Sequence, residues 1–145
     1  MIYINSGNAV FASDTPPDTA AVRHALEAHA GFDIPTLVLP SSQIQSIAAA
    51  IPSEWTNDAP NPDKSGNKSD VLYLFPEFDT PKSLELIGYK PDIETMRYVQ
   101  GALITTVTRA NQSRGSLQKI TATPLYRGVT IRNVNTARKL AELAR

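Results

Sequence analysis

The sequence contains no cysteine, and that absence removes disulfides, thiolate metal sites, cysteine nucleophiles and thiol redox chemistry together. No apolar run approaches the roughly 20 residues that a membrane helix needs, and no basic segment leads into a signal-peptide core. A cytoplasmic protein without a membrane partner is the expectation. Charge of one sign is also missing, because 14 Lys and Arg balance 14 Asp and Glu. No global field therefore draws the chain to nucleic acid or to an anionic surface, and any such site has to be a local patch. The two histidines, His24 and His29, stand five positions apart, about 140° around a helix and not the side-by-side spacing of three or four. No metal site is expected. A P-loop, a dinucleotide fingerprint and a Gly-x-Ser-x-Gly elbow are all absent, so no cofactor is expected and nucleophilic catalysis has no support.

What is present is 145 residues with 41% hydrophobic content, enough for one domain or two small subdomains sharing a core. Ile2 to Ile4 and Val10 to Ala12 flank Asn5-Ser6-Gly7-Asn8, which reads as strand, tight turn, strand. Pro16, Pro17 and Asp18 open a helix that carries Val22, Ala25, Leu26 and His29 on one face and ends at Gly31. Ile34 to Leu39 reads as a buried strand. Ser42 and Gln45 then form a capping box for a helix with the stripe Ile44, Ile47, Ala48, Ile51, stopped by Pro52.

From residue 53 to residue 69 the composition turns to Pro, Asn, Asp, Ser, Gly and Lys, which reads as a long loop. Asp70 to Phe75 is a strand, Thr80 and Pro81 introduce a helix with Leu84 and Ile87, and Gly88 closes it. Ile93 to Val99 and Ala102 to Thr108 flank the two-residue hairpin turn Gln100-Gly101. Leu117, Ile120 and Leu125 suggest a short irregular helix. Val129 to Ile131 is the last strand, and Asn133 or Asn135 caps a final helix bearing Ala137, Leu140, Ala141 and Ala144.

Residues 70–145 thus give the strand–helix–strand–strand–helix–strand order of a ferredoxin-like sandwich, with one extra C-terminal helix. Residues 1–52 give the same plan without its opening strand and helix. The fold class expected is α+β, built from duplicated ferredoxin-like units with antiparallel sheets, the first unit incomplete at its N-terminus.

Tyr3-Ile4-Asn5-Ser6-Gly7-Asn8-Ala9-Val10-Phe11, near the start, and Thr130-Ile131-Arg132-Asn133-Val134-Asn135-Thr136 with Lys139-Leu140, near the end, resemble the DUF1697 proteins. This is a bacterial family of unknown function. Trp55-Thr56-Asn57-Asp58, Ser69-Asp70-Val71 and Arg97 to Leu103 are similar to members as well. Many relatives hold Trp where Val134 stands. The resemblance also implies a strand and helix of roughly 30 residues ahead of the Tyr3 segment, the length of one such unit. Either the true start lies upstream, or a second copy of the chain fills the gap by strand pairing as a homo-oligomer.

Two clusters are candidate sites. Asn5, Ser6, Gly7 and Asn8 offer turn amides and a hydroxyl to an anion, although a tight turn needs the same residues. Arg132, Asn133, Asn135 and Thr136 crowd a guanidinium and three cap-forming side chains at a helix start, where ordinary capping needs only one. Trp55 is either the anchor of its loop or part of a lid over a ligand. Tyr73, Phe75 and Tyr98 favour core packing over base stacking, and Glu77 and Asp79 read as solvated carboxylates. The expected function is a binding module for a small anionic or nucleotide-like ligand. The alternatives are an RNA-binding accessory domain, or an enzyme with no identifiable acid–base groups.

Overall fold

The computed structural model describes residues 2, 3 and 7–145. Its centre is a four-stranded antiparallel sheet of β3 (Asn67–Leu74), β4 (Glu94–Val99), β5 (Ala102–Thr108) and β6 (Val129–Asn133), in the order β4-β5-β3-β6. β3 lies between β5 and β6, and Val71 to Leu74 are buried without a break. Such a continuous apolar run belongs to a strand covered on both faces.

The register sorts the side chains. Val71 faces Ile104 and Arg132 across the ladder, and Tyr73 faces Ala102 and Thr130. On this side Val71, Tyr73, Ala102 and Ile104 pack with Ile47 and Ile51, with Trp55, and with Val134 and Ala137. The cover comes from α2 (Ser41–Ala49) and α4 (Val134–Leu143). On the opposite side Leu72, Leu74, Met96 and Leu103 pack with Ile87, Ile120 and Leu125. Ile87 follows α3 (Ser83–Leu86), a single turn, where a longer helix was expected. Residues 109–128 wind through three successive 3₁₀ segments in place of one irregular helix.

The hairpin of β4 and β5 has the expected register, Val99 opposite Ala102 and Arg97 opposite Ile104. Its turn is fixed from outside. Gly101 takes φ +89°, which a side chain resists, and its N–H donates to Asp79 Oδ1 at 2.7 Å. The Tyr98 hydroxyl donates to the same oxygen at 3.0 Å. Asp79 was expected to be solvated, yet it clamps the turn.

The first third departs most from expectation. Among the described residues the ladder of β1 (Ile2–Tyr3) and β2 (Asn8–Ala9) is two residues long on each side, and residues 10–12 lie in no strand. Residues 34–39 lie in no strand. Pro35 removes one donor, and Leu37 and Leu39 pack against the α2–α4 core. α1 (Thr19–Ala30) begins at the Asp18 cap, which accepts from the Ala20 N–H, and ends at Gly31 with φ +81°. Both ends are as expected, yet Ala25, Leu26 and His29 are exposed and no α1 residue is fully buried. The capping box at Ser42 does not form. Pro40 occupies the cap of α2 with no side-chain bond, and Gln45 instead donates to the Ala144 carbonyl after α4.

Candidate functional site

β6 carries Arg132 on the same sheet face as Tyr73, and β2 brings Asn8 to it. Arg132 Nε donates to Asn8 Oδ1 at 2.6 Å. Its Nη1 donates to Thr130 Oγ1 at 2.8 Å and to the Ile131 carbonyl at 2.7 Å. The two clusters singled out in the sequence therefore meet through one residue from each. Asn8 is 9% exposed and Arg132 half-buried, and the buried amide is tolerable because it bonds to the guanidinium. Burial pulls the Arg132 pKa below its ordinary value, and Tyr73 opposes that shift.

Tyr73 is the member of this group that sequence reasoning missed as anything but core. Its ring is buried and its hydroxyl has no hydrogen-bond partner. Burial drives its pKa up to about 12, with Arg132 pulling the other way. A buried tyrosine hydroxyl ordinarily finds a partner. The one signal in the sequence was its two-residue spacing from Phe75, which spoke only of packing.

The remaining candidates have structural employment. Asn133 caps α4, its Oδ1 accepting from the Thr136 N–H at 2.9 Å. Asn135 Nδ2 donates to the Asn57 carbonyl at 3.3 Å, tying α4 to the loop. Thr136 is buried. Gly7 is exposed with φ +75°, whereas Asn5 and Ser6 lie outside the described residues. Trp55 is 6% exposed within the α2–α4 core, and the Arg97 guanidinium sits 5.1 Å from its ring centre, a cation–π distance. The rest of the loop is clasped at its ends. Asp58 accepts from the Asn67 N–H at 2.7 Å and from the Thr56 hydroxyl at 2.9 Å, and these bonds, the backbone one foremost, lower its pKa.

Among the described residues no group of three or more His, Cys, Asp or Glu side chains is placed to hold a metal ion, and no helix is long and apolar enough to cross a membrane.

Residues 2–103 match the family model described as "Protein of unknown function (DUF1697)". The chain belongs to that family. The match takes in Asn8, Trp55 and Tyr73 and stops within β5, ahead of the Thr130–Thr136 segment that holds Arg132. Among solved structures, this DUF1697 chain is similar to a conserved bacterial protein, SP0830 from Streptococcus pneumoniae. The two share 17% identity with a TM-score of 0.60, over 90% of this chain and 73% of the other. At that identity the likeness concerns the fold. No curated protein matches the chain.

Proposed function

We propose that this DUF1697 protein is a binding module for a small anionic ligand, received where Asn8, Tyr73, Thr130 and Arg132 converge. The observation that carries this reading is the unpartnered, buried Tyr73 hydroxyl on the sheet face of a half-buried Arg132. A phenol donor beside a guanidinium suits an oxyanion such as a carboxylate or a phosphoryl group. A nucleotide-like ligand meets the same chemistry through its phosphate. The test is a thermal-shift panel of phosphate, carboxylates and nucleoside monophosphates on the wild type, Tyr73→Phe and Arg132→Lys. A ligand that raises the wild-type midpoint but neither variant's supports the site. A panel with no shift, or one that all three proteins share, removes it. Binding to RNA that weakens steeply with salt would favour the nucleic-acid alternative instead, and turnover in a substrate screen would favour an enzyme.

Two structural readings accompany this proposal. With β3, β4, β5 and β6 taken as strands one to four, the observed order is 4-1-3-2, which supports a ferredoxin-like unit over the second half of the chain. The first part would then be an incomplete copy of the same plan. Ile2, Phe11, Leu26 and Phe32 are exposed there, which supports a second copy of the chain as the cover for this surface. Light scattering across a concentration series tests that, and a monomer at every concentration overturns it.

A further inference from the structure

On the sheet face opposite Arg132, a cavity of about 140 Å³ is lined by Lys68, Asp70, Glu94 and Thr105, with Val107 and Leu117 as its apolar walls. The backbone register creates it. Asp70 of β3 faces Thr105 of β5, and Glu94 of β4 faces Val107 two residues further along β5, so two carboxylates and a hydroxyl share one face within three neighbouring strands. Asp70 is 4% exposed, Glu94 5% and Thr105 3%. Acidic side chains are almost never buried this far without partners.

Their partners are known and leave capacity over. Asp70 is ion-paired to Lys68 Nζ. Glu94 Oε1 accepts from the backbone N–H groups of Lys90 and Ser116, each at 3.2 Å, and its Oε2 accepts from the Ser116 N–H at 3.2 Å. A carboxylate offers about four lone-pair sites, so neither group is saturated by these bonds. Thr105 lines the cavity, and its hydroxyl has no hydrogen-bond partner. The Ser116 hydroxyl, beside the N–H that holds Glu94, has none either. A buried hydroxyl left unpaired in a cavity that also holds two carboxylates is a place where an occupant belongs.

The lining charge is one lysine against two carboxylates, a formal balance of minus one. We propose that this cavity binds a small organic cation, the head of a protonated amine or a guanidinium group. Such a head brings several N–H donors and one positive charge. It neutralises the cavity, occupies the spare lone pairs of Asp70 and Glu94 and gives the Thr105 oxygen a donor. The cavity is too small for a whole nucleotide, and its charge opposes an anion, so the site is separate from the one at Arg132 and does not depend on it.

The test is a titration of the full chain with methylammonium and methylguanidinium, followed by amide NMR, with potassium and acetate as controls. The expected result is a saturable shift of the Asp70, Thr105 and Ser116 amides with one or both organic cations, at least about tenfold weaker in Glu94→Gln, as loss of a charge-assisted bond implies. Glu94→Gln disturbs the bonds to Lys90 and Ser116. Thr105→Val leaves those bonds intact, removes the unpaired hydroxyl, and is expected to keep the fold while weakening binding. No saturable shift with either organic cation overturns the proposal, as does equal affinity in a folded Thr105→Val. An equal response to potassium overturns the organic class.

Discussion

Arg132 Nε and Asn8 Oδ1 lie 2.6 Å apart although 124 positions separate them in the chain, so one side-chain bond ties the short N-terminal ladder to the edge strand β6 of the main sheet. The bond is charge-assisted and partly shielded from water, a setting in which deletion of one partner weakens the satisfaction of the other. Asn8→Ala is therefore expected to cost about 1.5–3 kcal/mol in urea unfolding. A double-mutant cycle with Arg132→Lys should show coupling of at least about 0.5 kcal/mol. Additive effects would mean that the ladder is held by other contacts.

Tyr73 gives a pH prediction with a definite sign. Its folded pKa, about 12, stands above the ordinary 10.0. The folded state therefore holds the phenol proton more tightly than the unfolded chain does. Below pH 10 both states keep that proton and stability is at its full value; as pH rises from 10 toward about 12 the unfolded chain ionises first and stability falls, by at most about 3 kcal/mol at 1.36 kcal/mol per unit. Tyr73→Phe should flatten the fall in stability between pH 10 and 12 without lowering stability at pH 7, since the lost hydroxyl has no partner. Parallel profiles of the two proteins would refute it.

Gly128 lies against the Phe78 ring, and a Cβ built at Gly128 falls inside the ring's contact distance. The backbone cannot retreat easily, because the Gly128 carbonyl accepts from the Phe75 N–H at 2.9 Å at the end of β3. Gly128→Ala should destabilise by about 1–3 kcal/mol through overpacking. Adding Phe78→Leu should restore part of that loss, which chemical denaturation of both variants would measure.

Trp55 anchors the loop by filling the α2–α4 core. Trp55→Ala is expected to cost about 3–5 kcal/mol and to expose residues 56–66 to protease. Arg97→Ala, which removes only the cation above the ring, should cost no more than about 1 kcal/mol at an exposed position. Equal losses in the two variants would place the anchoring energy in the stacking contact rather than in burial.

The sheet was the legible part of this chain. Two short β-prone runs, Glu94–Val99 and Ala102–Thr108, with a glycine at the turn between them, fix a hairpin locally, and the apolar run at 71–75 marks a doubly covered strand. The first third was less legible because its signals are local and its outcome is not. Ile34 to Leu39 has strand composition, but Pro35 interrupts its donors and its leucines find the α2–α4 core. Val22, Ala25 and Leu26 have helical spacing, and α1 forms accordingly, yet Val22 is only half-buried and Ala25 and Leu26 stay exposed. The candidate residues were legible by type, since crowded Asn, Thr and Arg stand out at a helix start. Their employment was not. Which Asn caps depends on the bend between β6 and α4, and the approach of Asn8 to Arg132 depends on tertiary packing across most of the chain. Buried Asp70 and Glu94 gave no sequence signal, because a strand carboxylate is ordinarily on the solvent side.

The exposure of α1 changes how stability is distributed along the polypeptide. Its ion pair joins Arg23 to Asp33, three residues beyond its own last turn, so the pair closes the segment on itself and does not fasten it to the sheet. A 12-residue helix with no fully buried residue sits near the lower length at which helices persist in water. Its amides are then governed by a local helix–coil equilibrium, and those of β3 by opening of the whole sheet. Isotope exchange would divide the chain into a fast-exchanging front and a slow centre, even though both are drawn as regular secondary structure.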